Sequence, residues 1–240
     1  MKPIGQRFLM IYAGVLTAVF AVTVLSGSVQ PAKTLTLEQL DVQRINMREP
    51  DGTLRLVISN TDKAPGIYIK NKEYPHPTRK AAGMIFLNDE GSENGGLGFG
   101  GEKGKDGAAG TYGHLSFDAY EQDQLMSLDV EQHGNARSNT LTLFDRPNFP
   151  LTDLVNYAAT IKNLPKDEQQ KKILAYFDEH GGRPTQRLTL GTGPDSSVGL
   201  AINDIKGRPR IVLSVAADGS PSIQTLDEAG KAIGVPASKQ

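Results

Sequence analysis

The chain has no cysteine and no tryptophan, and aromatic residues make up 6% of it. Without thiols there can be no disulfide, thiolate nucleophile, cysteine zinc site, iron–sulfur cluster or lipidated cysteine. The lack of disulfides does not fix the compartment, because a domain with an adequate core needs none. An excess of either charge is missing too. Lys and Arg number 26 against 27 Asp and Glu, for a formal net charge of −1. This balance disfavours a strongly basic nucleic-acid binder. Collagen-like, coiled-coil and multi-pass membrane chains are excluded by composition and spacing. Glycine and proline, by contrast, are plentiful at 26 and 14 of 240 residues and announce many turns. Hydrophobic residues are 38% of the chain, and a good part of them sits in one N-terminal run, so the remainder has a lean interior.

That run is the one long apolar stretch. No charge occurs between Arg7 and Lys33. Taken from Phe8 to Val29 as a helix it spans roughly 33 Å, enough for a bilayer core. Lys2 and Arg7 precede it, so the N-terminus is expected inside. The sequence therefore predicts a cytoplasmic tail over 1–7, a transmembrane anchor over 8–29, a linker over 30–40 and an extracytoplasmic domain over 41–240. The rival for 8–29 is a signal peptide, with Ser26 and Ser28 at the small positions before a cut. Its apolar stretch, however, exceeds the usual ~7–15 residues of such a segment. Either way the rest of the chain is exported.

Within the linker, Thr36 to Leu40 reads as one helical turn capped by Thr36. From Asp41 the pattern is that of strands. Leu54, Leu56 and Ile58 alternate with Arg55 and Val57. Similar alternation recurs at Met84/Phe86, Leu97/Phe99, Leu115/Phe117, Met126/Leu128/Val130 and Leu141/Leu143, then at Leu188/Leu190, Val198/Leu200/Ile202 and Ile211/Leu213/Val215. Period two with one apolar face marks half-buried antiparallel strands. The expectation is a mainly β fold: an antiparallel meander of about a dozen short strands closing as a barrel, a sandwich or a propeller-like ring. Four segments, Glu49–Gly52, Asn88–Gly91, Asp204–Gly207 and Asp227–Gly230, place a polar residue three before a glycine, a degenerate hairpin repeat. A helical hairpin is expected over 151–180. Leu151, Leu154, Val155, Ala158 and Ile161 share one face, Pro165 suits a second helix start, and Gly181-Gly182 stops it. The glycine-rich stretch Gly100 to Gly113 reads as a mobile surface loop.

Local motifs for chemistry are weak. Gly96-x-Gly98-x-x-Gly101 matches the spacing of a dinucleotide fingerprint, but no helix can follow it, and the Gly98–Lys105 spacing fails as a phosphate loop. No nucleotide, nucleic acid or cofactor is therefore expected. Asp89, Glu90 and Glu93, with Asn88 and Asn94, offer hard oxygen ligands without the spacing of a calcium loop. The competing reading, favoured here, is a hairpin turn carrying solvated acids. His76, His114, His133 and His180 form no zinc-type pair. No Gly-x-Ser-x-Gly elbow occurs, so no catalytic residue is assigned. Tyr68, Tyr74, Tyr112 and Tyr120 could stack on a ligand; covering the core rim is the simpler role for them.

Three stretches carry a likeness: Asp51–Asn60 (DGTLRLVISN), Ala82–Gly96 (AGMIFLNDEGSENGG) and Leu115–Gln124 (LSFDAYEQDQ). Over about Leu40 to Pro147 the chain resembles an uncharacterised family of bacterial exported proteins with an N-terminal apolar segment. The resemblance implies a bacterial envelope protein and carries no activity or site residue. The resulting expectation is a single-pass, membrane-anchored, non-enzymatic binding or assembly protein, with an envelope protein or a glycan as partner. The alternative is an exported enzyme acting on an envelope polymer through a loop-built site.

Overall fold

The computed structural model describes residues 4–26, 34–76, 78–105 and 107–233. The chain divides into two compact units, Met1–Asp41 and Val42–Gln240. In the first, α1 (Ile4–Ser26) is a 23-residue helix. Its stretch Gly5–Thr23 is long and apolar enough to cross a membrane. The helix starts before the expected anchor and includes Arg7; residues 27–29 of that anchor and 30–33 of the linker lie outside the described residues. The helical turn expected over Thr36 to Leu40 does not form, and the chain there is irregular. A Thr cap without an amphipathic face to bury cannot offset the cost of nucleating a helix.

The second unit is built on one antiparallel sheet of twelve strands. In chain order these are β1 (Arg44–Arg48), β2 (Leu54–Ser59), β5 (Ala82–Leu87), β6 (Glu93–Lys103), β7 (Ala109–Asp118), β8 (Gln124–His133), β9 (Ala136–Asp145), β10 (Thr185–Thr192), β11 (Val198–Asn203), β12 (Pro209–Val215), β13 (Pro221–Leu226) and β14 (Ala232–Ile233). Every strand pairs with the next in this list, so the sheet is a meander. Two excursions leave it. One, over 60–81, holds a short ribbon of β3 (Ile67–Ile69) and β4 (Lys72–Tyr74). The other holds the expected helical hairpin, α2 (Leu151–Ile161) and α3 (Lys166–Glu179). Pro165 stands at the cap of α3 rather than inside it, while Gly181 and Gly182 take the positive φ that ends it. Stacked rings of Tyr157 and Tyr176, 4.7 Å apart, hold the two helices together.

The mainly β meander is as expected; closure is not seen. β1 and β14 end the strand order, and among the described residues nothing pairs them. Alternation nevertheless sorts most of the strand side chains by face. One cross-strand row reads Ile45, Ile58, Met84, Leu97, Leu115, Leu128, Leu141, Leu190, Leu200, Leu213 and Ile223, one residue from each of eleven strands. Over its middle strands the opposite face carries small and polar residues: Gly96, Ser116, Ser127, Thr142, Thr189 and Ala201 lie in one row, which runs on into Ile85 and Val57 at one end and Val212 at the other. Exposure is inverted relative to an ordinary soluble sheet. Ser116, Ser127 and Thr142 are buried, whereas Leu128 and Leu213 are 45% and 37% exposed.

The hairpin repeat has one geometry. In all four segments the glycine has positive φ and its N–H donates to the carbonyl three residues earlier. This is a type I turn closed by a left-handed residue, the three-residue hairpin loop. At three of them the leading Asn88, Asp204 or Asp227 also accepts two backbone N–H groups through its Oδ1.

Two further expectations are corrected. Gly100 to Gly113 is not a loop but the far half of the β6–β7 hairpin, paired from Gly100↔Tyr112 to Lys103↔Ala109. The ladder uses backbone groups alone, and the Tyr112 ring lies over Gly100, where a Cβ would sit 2.7 Å from it. Aromatic cover of this kind compensates a glycine's missing side chain. Val57 does not alternate outward; it is fully buried with Leu54, Tyr68 and Leu87 in the core cluster. The reason is the β3–β4 ribbon, whose Tyr68 packs on the side of β2 that the sequence pattern leaves to solvent. Lys70 and Asn71 both take left-handed φ in its two-residue turn, and Asn71 Oδ1 accepts from Leu54 N at 2.9 Å.

Candidate functional site

The ribbon excursion and the small-residue face of the sheet enclose a cavity of about 700 Å³. Its floor is β5–β7, where Gly83, Gly98 and His114 are cross-strand neighbours beside Gly96 and Ser116. Three of the floor residues, Gly83, Gly96 and Gly98, carry no side chain. Ile67, Tyr68 and Arg79 come from the excursion, and Asp118 and Gln122 from the end of β7 and the turn after it. Leu151 and Thr152 at the start of α2 complete the rim.

The rim is braced by backbone and charge. Glu121, at positive φ, accepts the Leu151 N–H at 2.6 Å through its carbonyl. This satisfies an orphan donor of α2, which has no side-chain cap. The Glu121 carboxylate pairs with Lys70 at 2.5 Å, tying the β7–β8 turn to the ribbon. Gln122, buried, donates to the carbonyls of Phe149 and Pro147.

Inside, Arg79 meets Glu93 through two bonds, Nη2–Oε1 at 2.5 Å and Nη1–Oε2 at 3.1 Å, and also donates to Gly66 O. Both side chains are less than a fifth exposed. Asp118 has the opposite circumstances. Its Oδ1 is buried with no hydrogen-bond partner. Burial, and then the negative charges of Glu93 and Asp123, push its pKa up to about 7; Arg146 and Arg79 oppose the rise. Ionisation is thus held back at neutral pH.

His114 and Ser127 both address Asp129. Nδ1 of His114 lies 2.5 Å from Oδ1, and the Ser127 hydroxyl donates to Oδ2 at 2.6 Å. A hydrolytic triad needs the hydroxyl on the far nitrogen of the imidazole. Here that nitrogen faces the Gln124 amide at 3.5 Å.

The acids singled out from sequence do not converge. Asp89 is almost fully exposed and pairs with Arg55 at 2.7 Å. Glu90 accepts from the Tyr120 hydroxyl at 2.8 Å. Glu93 is the correction: it is not solvated but locked to Arg79 in the cavity, 14 residues away in sequence. Asp89, Glu90 and Glu93 therefore answer to three different partners, and among the described residues no set of His, Asp or Glu side chains is placed to hold a metal. Of the tyrosines, Tyr68 is buried core, its hydroxyl bonded to Arg44 and Glu73. Sequence reasoning missed Arg79 and Asp118; Asp118 stands in the quoted LSFDAYEQDQ stretch, but its burial depends on segments far along the chain.

Breaking the Arg79–Glu93 pair from one side leaves a mostly buried charge without its partner. Arg79→Met is expected to cost about 2 kcal/mol, read as a lowered urea midpoint at unchanged slope. The double variant with Glu93→Gln should recover part of this loss. No family model matches the chain, and comparison with curated proteins finds no relative.

Proposed function

We propose that this chain is a membrane-anchored, extracytoplasmic binding protein of a bacterial envelope, and that the cavity over the small-residue face takes a small neutral glycan. The observation that carries the reading is Asp118, whose buried Oδ1 has no hydrogen-bond partner, at the lining of a cavity of ligand size. A pocket of ~300–1,000 Å³ with a few convergent polar groups and a perturbed ionisable residue is the default ligand site of a fold. The flat glycine floor suits a sugar ring. Sugar hydroxyls would meet the Asp118 carboxyl from the cavity that it lines. The apolar α1 supports the anchor, and the cationic Lys2 and Arg7 before its apolar run support a cytoplasmic N-terminus.

The enzyme reading has one observation in its favour, since a carboxyl held protonated near neutral pH suits a general acid. Against it, Glu93 is held by Arg79 and is not free as the second carboxylate of a glycosidase pair. Binding without turnover follows.

Thermal melts of the full chain with millimolar N,N′-diacetylchitobiose test this, with glucosamine as an amine-bearing control. A midpoint raised by several degrees for the disaccharide, and no such response in Asp118→Asn, are expected. Equal silence from wild type and variant would sink the glycan reading. Cleavage of the disaccharide would favour the enzyme. Carbonate-washed membranes address the anchor separately: the chain should stay in the pellet, and a soluble form beginning near Val29 would contradict it.

A further inference from the structure

The apolar face of the sheet is bare. Three successive cross-strand rows, those of Leu143, Leu128 and Val130, hold no charged residue on any of the strands they cross. Sixteen large apolar side chains in these rows are between 36% and 66% exposed. At roughly 60–80 Å² each they present on the order of 1,000 Å², well beyond the ~300–600 Å² patch of an ordinary monomer. A standard interface needs about 800 Å² from each partner.

We propose that this face is the self-association interface of the protein: a second copy of this chain packs on it, sheet against sheet. The occupant must be broad, apolar and uncharged. Twelve strands at ~4.8 Å make the sheet about 50 Å wide. The same face on another copy matches it in width and chemistry, and an isologous pair satisfies both faces at once. Interdigitated Leu, Ile and Val rows about 10 Å apart would form the core of an intermolecular sandwich. The row beyond Val130 turns polar, with Thr111, Gln132 and Arg137 as cross-strand neighbours, and supplies a rim of the kind interfaces carry. Lipid fits less well. A sheet in hydrocarbon has to close, because unpaired edge groups find no donors or acceptors there; here β1 and β14 each have one pairing partner among the described residues. The aromatic residues of the face, Phe86, Phe99 and Phe117, sit on three adjacent strands rather than in two girdles. The proposal does not depend on what the cavity binds.

Because the chain has no cysteine, single introduced thiols report on one site each. Val130→Cys and Val215→Cys probe the apolar face, and Gln224→Cys probes the other, where it is exposed. The full chain in mild detergent at micromolar concentration should run as a dimer or a higher closed assembly by light scattering. A polar maleimide should label the two face thiols at least tenfold more slowly than Gln224→Cys. Adding Leu128→Glu and Leu213→Glu should give monomers whose face thiols react as fast as the control. These readouts leave the cavity response untouched, so failure here is separable from failure there. A monomeric chain with freely reactive face thiols would overturn the proposal. So would a monomer whose face thiols are protected from the polar reagent yet labelled by a lipid-soluble one, which would make lipid the occupant. If the Glu variants do not fold, the labelling contrast in the Cys variants alone decides.

Discussion

Gly95→Val should leave little or no folded protein. Gly95 has φ +144, a conformation that glycine alone adopts without strain, and a Cβ there would lie 2.3 Å from the carbonyl oxygen of Ser116 on the neighbouring strand. Backbone strain of ~1–3 kcal/mol adds to overpacking of about 1–3 kcal/mol. The oxygen belongs to the β6–β7 ladder and cannot move without breaking the pairing of Gly95 with Phe117. A combined cost of about 4 kcal/mol is a large share of the ~5–15 kcal/mol that a domain has. Gly113→Ala is the control: it is also a strand glycine of the apolar face, and its added Cβ meets nothing within 4 Å. That change should stay within about 0.5 kcal/mol. Asp89→Asn with Glu90→Gln should be as mild, since both acids are exposed at the turn. Urea melts of the three variants check the order. A Gly95→Val protein as stable as Gly113→Ala would mean the β6–β7 approach is looser than the ladder implies.

How far these features could be read beforehand depends on the range of the interaction that makes them. Turns were legible because their chemistry is local. Asn88, Asp204 and Asp227 each bond the backbone two and four residues on, and the glycine follows at a fixed offset. Strand parity was legible because the ladder has period two, which is why the alternating pairs from Met84/Phe86 to Ile211/Leu213 all fall on one face. Composition misled at Gly100 to Gly113, where glycine counts suggest a loop while paired backbones and the Tyr112 ring make strands. The cavity was out of reach. Arg79 lies in an irregular stretch with no period to betray it, and its partner Glu93 reads as one acid of a turn. Val57 fails for the same reason: its burial comes from Tyr68, on a ribbon the sheet's own pattern does not foretell. Closure was inferred from the number of strands and the need to hide edges. Among the described residues β1 and β14 still end the strand order, and the proposed second copy would cover the apolar face without pairing those edges.

Asp118→Asn should raise stability at pH 8 and remove most of the pH dependence between pH 4 and 7. Asp118 has its folded pKa pushed from 3.8 up to about 7. Below pH 3.8 the carboxyl is protonated in both states and makes no difference. As pH rises from there, the unfolded chain ionises while the folded one keeps its proton, so stability falls with pH. By pH 8 the folded carboxylate is ionised too, and the penalty is complete at about 4 kcal/mol, taking ~1.36 kcal/mol for each pH unit. An amide has the same shape and cannot ionise. It must bury its own NH₂, at roughly 1–3 kcal/mol where no acceptor is found. The net gain at pH 8 is then about 1–3 kcal/mol, or roughly 3–9 °C in midpoint for a domain near 200 residues. At pH 4 the amide cost stands alone, and the variant should melt below wild type. This change of sign with pH separates a buried carboxyl from a surface one, whose replacement would shift both melts alike. Parallel wild-type and variant profiles from pH 4 to 8 would show that Asp118 ionises freely in the folded chain, and the carboxyl would no longer single out the cavity as a binding site.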